Sequence, residues 1–368
     1  MITWRNGTVS GMRREWTGAV ELDVAVDGAR GEGSQVRALA YPALTGRPQP
    51  GDRVLLNTTA LDLKLGTGGY ALVIAIPDRL PPDPELAGHL VKGRYSPLQA
   101  TVLGADEQGS PHHDVLRDAD DIGEMPVVVA DLHSALPAVL AGVFCPAERS
   151  GVPVPGPRVV YVMQDGGALP AWFSRTGAAL REAGWLTATV TTGQSFGGDL
   201  ETATVHTGLL AARHVLGADI AVVAQGPGNL GTGTRWGFSG VAAGEAVNAA
   251  AALGGRPVAS LRVSDADPRE RHRGVSHHSL TAYGRAALAR ADVVVPELDG
   301  DFGKLVAADA AGLAGRHDIV TVPVDGLEAA LRAAPVRLST MGRDLDGDLA
   351  YFLAAAAAGR HAGRLLRH

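Results

Sequence analysis

The chain has 368 residues, which is long for one hydrophobic core and predicts two domains. With 46% apolar residues, 20% charged residues and a formal net charge of -6, its composition excludes extensive disorder. The mild negative charge gives no electrostatic reason to expect a nucleic acid or an anionic membrane surface as a partner.

The beginning of the chain favours a cytoplasmic protein. It shows no charged segment followed by an apolar stretch, and the sequence contains no run of about eighteen apolar residues. Cys145 is the only cysteine, which excludes an internal disulfide framework and fits a reducing compartment. A homodimer is expected only from the general frequency of symmetric oligomers.

Residues 1–76 are predicted to form a small antiparallel β-barrel. In residues 20–27 the apolar side chains alternate at the period of a half-buried strand, and shorter apolar runs follow at 35–41, 53–56 and 70–76. Turn-rich segments separate these runs and no helical pattern intervenes, so a closed sheet that removes the exposed edges is favoured. Four prolines at 77–84 then predict a linker over residues 77–86.

Residues 87–368 are predicted to form a mainly parallel, Rossmann-like, three-layer α/β domain. Candidate strands at 159–163, 187–191, 220–224, 258–263, 293–295 and 319–322 alternate with helical segments. The segment before them is harder to assign: residues 89–97 have neither a helical nor a strand period, and the apolar run 126–130 follows a polar loop. In an open parallel sheet, the loops that leave the carboxyl ends of the strands are the usual ligand site.

The loop after the strand at 159–163 is the first candidate site segment. Gly166 and Gly167 would let backbone amides approach a ligand, and Asp165 can hold a hydroxyl group or a metal ion. A plain tight turn explains the segment nearly as well. Asp199, in the loop after the next strand, is a further carboxylate that can orient a histidine or a metal ion.

The same second loop matches a nucleophile elbow. Gly193, Ser195 and Gly197 fit the Gly-x-Ser-x-Gly pattern, and Asp267 and His277 follow in the order of a hydrolase triad. Against this interpretation, only one strand separates the glycine turn at Asp165 from the elbow, whereas an α/β-hydrolase has a further strand and helix between its oxyanion loop and its nucleophile.

A third glycine-rich loop follows the strand at 220–224. It satisfies Gly-x-Gly-x-x-Gly, but it stays glycine-rich instead of entering a helix, and no strand-end acid follows at the spacing of a dinucleotide site. A broader anion-binding loop remains the hypothesis. Its candidate residues are Gly226, Gly228, Gly231, Thr232, Gly233 and Thr234.

The fourth segment, residues 265–279, has three carboxylates, three arginines and three histidines directly after a strand. Histidine transfers protons near neutral pH, and arginine makes forked contacts to phosphate or carboxylate. A solvated, salt-bridged loop is the alternative. Asp267, His272 and His277 are the catalytic candidates here, and Arg271, Arg273, Ser276 and His278 are the ligand-binding candidates.

A divalent metal ion is another use of these histidines. Because the adjacent His277 and His278 are expected to diverge on a helix, we expect His272 with one of them, together with Asp265 or Asp267, as the ligand set. His133 and His206 are further candidates elsewhere in the chain, and the identity of the metal stays open.

Several motifs together resemble an uncharacterised bacterial family, the domain of unknown function DUF3866. They lie at 94–99, 132–134, 165–170, 197–199, 226–234 and 271–278, so the resemblance spans nearly the whole chain. It implies a cytoplasmic bacterial protein, and it implies no activity, substrate or catalytic residue.

The residues therefore predict an enzyme, a hydrolase or a transferase, that acts on a small anionic metabolite of a phosphorylated or nucleotide-like kind. An alternative is a non-catalytic ligand sensor whose barrel transmits the occupancy of the α/β site. A serine hydrolase that uses Ser195 is the third hypothesis.

Overall fold

The structure, a computed structural model, describes residues 1–28, 34–65, 68–85, 88–145 and 156–366. The chain divides into two compact units. The first comprises Met1–Ala87 and Gly93–Ala100, and the second comprises Gly88–Lys92 and Thr101–His368. Residues 77–85 of the predicted linker contain no helix or strand, whereas residue 86 lies outside the described residues.

The first unit contains the barrel. Its described elements are β1 (Trp4–Trp16), β2 (Ala19–Val26), β3 (Ser34–Ala40), α1 (Pro42–Thr45), β4 (Arg53–Asn57), α2 (Thr59–Asp62) and β5 (Ala71–Ala75). These five strands close in the order β1-β2-β3-β5-β4, which confirms the predicted barrel. Its strand pairs are antiparallel except for β3 with β5, which is parallel.

The barrel core follows the alternation seen in the sequence. Val20, Leu22, Val24 and Val26 of β2 are all buried, and they face side chains from the other strands. The sequence pattern did not indicate β1, because most of its thirteen residues are exposed or half-buried and only Gly7 and Val9 are buried.

The second unit is built on alternating strands and helices. Its first described elements are β6 (Leu90–Lys92), β7 (Ala100–Val102, whose first residue belongs to the first unit), α3 (His113–Leu116), β8 (Pro126–Val129), α4 (Leu136–Val143), β9 (Val159–Gln164), α5 (Arg175–Glu182), β10 (Ala188–Thr191), β11 (Leu200–Glu201), α6 (Val205–His214), β12 (Ile220–Gln225) and α7 (Ala242–Ala252). The remaining described elements are β13 (Arg256–Ser260), β14 (Val263–Ser264), β15 (Gly274–Val275), α8 (His277–Thr281), β16 (Asp292–Glu297), α9 (Gly300–Ala311), β17 (Asp318–Pro323), α10 (Leu327–Arg332), β18 (Ser339–Thr340), β19 (Arg343–Asp344) and α11 (Leu349–Leu365).

Eight of the described strands form one sheet in the order β11-β10-β9-β12-β8-β13-β16-β17. All of its neighbouring strands run parallel. The apolar run at 126–130 supplies β8, which lies between β12 and β13. The α/β fold class predicted from the sequence is therefore confirmed, with β8 as an additional strand near the middle of the sheet.

Helices cover both faces of this sheet. Alternate residues of β8 point to opposite sides, so Val127 and Val129 join one buried cluster and Val128 joins the other. The first cluster includes side chains of α6, α7 and α9, and the second includes side chains of α4, α5, α10 and α11. Because both faces are covered, the strands are apolar throughout rather than alternating.

The connections reverse direction between β8 and β13. After β8 the chain continues to β9, on one side of the sheet, and after β13 it continues to β16, on the other side. The carboxyl ends of two such strands leave a crevice in which ligands of open α/β sheets bind.

The predicted strand at 258–263 is shorter in the structure. β13 ends at Ser260, and Val263 belongs to β14, which pairs with β15. Arg262 therefore lies between the two strands, just beyond the carboxyl end of β13.

Within the described residues, no helix combines the length and the apolar character needed to cross a membrane.

We expect Gly359→Ala in α11 to lower the thermal unfolding midpoint. A Cβ at Gly359 would collide with the backbone carbonyl of Val139 in α4, so the two helices would have to separate. Overpacking of this kind costs about 1–3 kcal/mol. The exposed Gly315, where an added Cβ meets nothing within 4 Å, is the matched control, and equal midpoints for Gly359→Ala and Gly315→Ala would contradict the close packing.

Candidate functional site

One group of polar side chains, with one phenylalanine, lies at the carboxyl ends of three neighbouring strands, β12, β8 and β13. Asp131 follows β8 by two residues, Arg262 follows β13 by two residues, and Phe238 closes the loop after β12. We call the group the histidine site, and its members are Asp131, Phe238, Arg262, Asp267, His272, His277 and His278.

A hairpin presents most of this group. Val263 pairs with Val275 and Ser264 with Gly274, so β14 and β15 close the loop of residues 265–273 at its base. A 3₁₀ helix at Glu270–His272 ends this loop, and α8 begins at His277, directly after the hairpin. The hairpin thereby brings His272 and His277, which are five positions apart in the sequence, close together.

Ser276 organises the two parts of the hairpin. Its hydroxyl oxygen accepts a hydrogen bond from the backbone N–H of His278 at 3.2 Å, which caps α8. The same oxygen lies 2.7 Å from Nδ1 of His272. Because Ser276 is fully buried, this geometry gives the side chain a positioning role rather than the ligand contact expected from the sequence.

The three histidines converge. The ring centroids of His277 and His278 are 4.4 Å apart, and that of His272 lies 4.8 and 4.9 Å from them. One ring nitrogen of each lies within 4.8 Å of the others. The expectation that His277 and His278 diverge is therefore wrong, because both residues begin α8 directly after the Ser276 cap and both ring centroids lie 4.9 Å or less from that of His272.

Burial keeps these imidazoles neutral at pH 7. Loss of hydration, followed by the nearby Arg262 guanidinium, lowers the pKa of His272 to about 3 and that of His278 to about 3. Burial and the charge of Arg271 also lower the pKa of His277. Phe238 fixes one ring, since it stacks on His278 with centroids 3.8 Å apart and planes 1° from parallel.

Asp131 and Arg262 are two buried ionisable side chains of the site. Burial raises the pKa of Asp131, and the opposite charge of Arg262 only partly offsets this. Oδ2 of Asp131 lies 3.9 Å from Nδ1 of His278, and Nη1 of Arg262 lies 3.4 Å from the same nitrogen. The side chain of Gln225 at the end of β12 donates to the backbone carbonyl of Asp131 at 2.6 Å, which joins the loops after β12 and β8.

Asp267 is saturated by arginines. Arg269 donates to both of its oxygens, at 2.9 and 2.8 Å, and this pairing holds the pKa of Asp267 well below its usual range. Nη2 of Arg343 lies 3.5 Å and Nη2 of Arg262 3.7 Å from its Oδ2. Asp267 thus offsets positive charge, and neither it nor the exposed Asp265 belongs to the group of atoms that could hold a metal ion.

Three buried polar atoms of the histidine site have no hydrogen-bond partner among the described residues. They are Oδ2 of Asp131, Nη2 of Arg262 and Nε2 of His277. Buried polar groups are normally paired, so these three atoms have a capacity for hydrogen bonding that the described residues do not use.

The structure places Asp165 and Asp199 elsewhere. Oδ2 of Asp165 accepts from the backbone N–H of Gln194 at 2.8 Å, and Asp199 pairs with Arg181 at 2.8 Å near the edge strand β11. Asp165 follows β9 and Asp199 follows β10, and both strands are separated from β13 by β12 and β8. These two carboxylates are not brought to the histidines.

The glycines of the first loop serve packing. A Cβ at Gly167 would collide with the carbonyl of Gly226, and one at Gly166 would meet the side chain of Gln225 at 2.6 Å. Gly166, Gly167 and Gly226 thus let the loops after β9 and β12 lie against each other, which leaves little space for a ligand.

The rest of the third loop is exposed. Gly228, Gly231 and Gly233 are exposed, and the hydroxyls of Thr232 and Thr234 bond to each other at 3.2 Å. Only the end of this loop, at Phe238, reaches the histidines.

The two predicted ligand arginines are on the surface. Arg271 and Arg273 are both exposed, and of the two only Arg271 is close enough to influence His277. The guanidinium within the site belongs instead to Arg262.

Ser195 has a structural role. Its side chain is fully buried, and its hydroxyl lies 2.7 Å from the carbonyl of Thr192 and 2.9 Å from that of Met163. A hydroxyl that donates to backbone carbonyls in the interior is not an accessible nucleophile, so the geometry disfavours the serine-hydrolase hypothesis.

Sequence reasoning missed Asp131, Arg262 and Phe238 as site residues. Asp131 directly follows the apolar run 126–130, and Arg262 is a charged residue inside the apolar run 258–263. A charged residue at either position could have indicated a site residue. The sequence around Phe238 gives no such indication, because its contact with His278 joins loops from different strands.

His133, a buried histidine outside the histidine site, lies close to Asp131 in the sequence but is fully paired. The hydroxyl of Tyr161 donates to the carbonyl of Gln225 at 2.9 Å, so it accepts from Nδ1–H of His133 at 3.0 Å. Nε2 of His133 then accepts from the hydroxyl of Ser174 at 2.7 Å, and Ser174 accepts from the N–H of Gly177 at 2.8 Å. With every polar atom paired, this chain of bonds stabilises the fold.

The fold and the histidine site define an α/β protein with buried histidines and a buried arginine at the carboxyl ends of its central strands. The chain belongs to the family DUF3866, described as a protein of unknown function, whose model matches residues 37–359. No curated protein and no solved structure matches the chain.

We expect His133→Gln to weaken the pH dependence of stability. Burial lowers the pKa of His133 from 6.5 to about 4 in the folded protein. Above pH 6.5 the ring is neutral in both states, and as the pH falls toward 4 only the unfolded chain takes up the proton, so the native chain loses stability on the order of 3 kcal/mol. Urea unfolding across this range measures the loss, and parallel curves for His133→Gln and the native chain would contradict the assignment.

Proposed function

We propose that this protein is an enzyme that acts on a small anionic metabolite, carrying a phosphate or carboxylate group, at the histidine site. The observation that carries the proposal is the buried guanidinium of Arg262, whose Nη2 has no hydrogen-bond partner among the described residues. An unpaired buried donor with a full positive charge costs several kcal/mol. An anionic oxygen is the ligand that removes this cost.

The charge balance of the site supports an anion. Arg269 and Arg343 already neutralise Asp267, and burial raises the pKa of Asp131 and so disfavours its negative charge. Arg262 is thereby left with one ion pair, to Asp267 at 3.7 Å, and it shares that carboxylate with two other arginines. Arginine is also the side chain best suited to phosphate and carboxylate, because its planar fork makes two parallel hydrogen bonds.

The histidines supply reactive nitrogen atoms beside that anion. Because the pKa values of His272 and His278 are lowered to about 3, both rings are neutral at neutral pH, and each then has one ring nitrogen with a lone pair. Neutral imidazoles accept protons or bind metal ions, and such groups in a crevice beside a cation are typical of catalytic sites. The crevice between β8 and β13 is also the place where open α/β sheets bind ligands.

A cytoplasmic bacterial protein is part of this proposal. It is supported by the family resemblance and by the single cysteine, which fits a reducing compartment.

We expect Arg262→Met to weaken the binding of the anion at least about tenfold, because a hydrogen bond to a charged group contributes about 1.5–3 kcal/mol. Calorimetry with inorganic phosphate, sugar phosphates, nucleotides and dicarboxylates identifies the class of ligand. The exposed Arg316→Met is the matched control. If no anion of the panel binds, or if both variants behave alike, the proposed site is wrong.

Turnover separates an enzyme from a sensor. The ligand found by calorimetry is incubated with the full chain and followed by NMR for product formation. We expect the product to form with the native chain and to be lost with His277→Asn, whose shorter amide cannot replace Nε2. Binding without any product would support the sensor instead.

A further inference from the structure

We propose that His272, His277 and His278 bind one divalent transition-metal ion, of the kind that prefers nitrogen ligands, such as Zn²⁺ or Co²⁺. This metal centre goes beyond the proposed function and rests on it only for the role of the ion, which lies beside the anion held by Arg262. Binding of the metal is tested separately from binding of the anion.

The distances between the ring nitrogens suit a single ion. The three atoms lie within 4.8 Å of one another, so a central point exists that is no more than about 2.8 Å from all three. A zinc–nitrogen bond is about 2.0–2.1 Å long, so each nitrogen has to move inward by at most about 0.7 Å. Small rotations of the imidazole rings supply such a shift, and the backbone can stay in place.

The hydrogen bonding of the rings supplies a second, independent observation. Nε2 of His277 is buried without a partner among the described residues, although a polar nitrogen in that position normally has one. Nδ1 of His272 is held by the hydroxyl of Ser276 at 2.7 Å, which leaves its Nε2 for an ion. Metal-binding histidines characteristically use one ring nitrogen for the metal and the other for a bond that orients the ring.

The ligand set indicates the class of metal. Three imidazole nitrogens suit Zn²⁺, Co²⁺, Ni²⁺ or Cu²⁺, whereas Mg²⁺ and Ca²⁺ require oxygen ligands. Three protein ligands also leave one position open, which is the arrangement of catalytic rather than structural zinc sites.

Some nearby charges oppose the binding of a cation, and others favour it. Arg262 repels a cation, but Asp267 pairs with Arg269 and lies 3.7 Å from Arg262, which reduces that repulsion. Oδ2 of Asp131 lies 3.9 Å from Nδ1 of His278, and its negative charge would be stabilised by an ion bound to that ring. An anion that bridges the ion and Arg262 would neutralise both.

The test is a titration of the full chain with Co²⁺ after removal of metals with a chelator. We expect visible absorption bands that saturate at one ion per chain, that Zn²⁺ abolishes and that Mg²⁺ leaves unchanged. His277→Ala should weaken the binding by at least about tenfold, since even second-shell partners of metal ligands contribute 10–100-fold. The exposed His206→Ala is the matched control and should bind like the native chain.

Circular dichroism verifies that each variant is folded, and His277→Gln replaces His277→Ala if the alanine variant is not. Absence of Co²⁺ binding, or binding that all histidine variants retain, would overturn the metal centre. The two proposals fail separately. Metal binding without any anion from the panel leaves the centre in place and removes the proposed function, whereas anion binding without metal does the reverse.

Discussion

The guanidinium of Arg262 is buried just beyond the carboxyl end of β13, and a charge in such a place is stable only beside groups that compensate it. Neighbouring side chains and the loop that holds them supply that compensation. Asp267 lies 3.7 Å away, held by Arg269, and the β14–β15 hairpin fixes the loop that carries it. The same hairpin brings in the histidines, whose rings stay neutral because burial, and after it the positive charge of Arg262, lowers their pKa values.

A second buried cation in this unit shows what full compensation looks like. Lys92 is as buried as Arg262, but its Nζ donates to the carbonyls of Gly193 and Thr202 and lies 3.5 Å from Glu201. The Glu201 carboxylate in turn accepts from the hydroxyl of Thr191 at 2.6 Å. Every charged atom has a partner there, so the pair needs no ligand. Lys92 and Arg262 are both buried, so burial does not distinguish them. They differ because Nζ of Lys92 is hydrogen-bonded, whereas Nη2 of Arg262 has no hydrogen-bond partner among the described residues.

Much of the fold could be predicted from the sequence because burial leaves a periodic pattern. Alternation in β2 indicated the barrel, and apolar runs of strand length indicated most strands of the parallel sheet. β1 was missed because its exposed polar side chains hide the period. The apolar run 126–130 was visible in the sequence, but nothing in it indicated that β8 lies between β12 and β13 in the sheet. Local patterns record which residues are buried, and they do not record which strands are neighbours.

That limit explains the site as well. Four polar loops followed predicted strands, and only the order of strands in space decides which of them meet. In the sheet, β12 and β8 lie between β13 and the two strands β9 and β10. Asp165 and Asp199, which follow β9 and β10, therefore stay apart from the histidines. Asp131 comes close because β8, although distant from β13 in the sequence, pairs with it directly. The segment 265–279 was recognisable because its hairpin is local and carries most of the site by itself.

The unpaired atoms of the histidine site are of two chemical kinds, and this restricts what can occupy it. Nη2 of Arg262 is a donor that only an electron-rich oxygen satisfies, whereas Oδ2 of Asp131 is an acceptor, as is Nε2 of His277 when it carries the lone pair. An anion alone would pair the guanidinium and leave the acceptors unpaired near further negative charge. A cation alone would satisfy the acceptors and increase the repulsion from Arg262. An ion and an anion bound together satisfy both kinds of atom, so the two ligands are expected to raise each other's affinity.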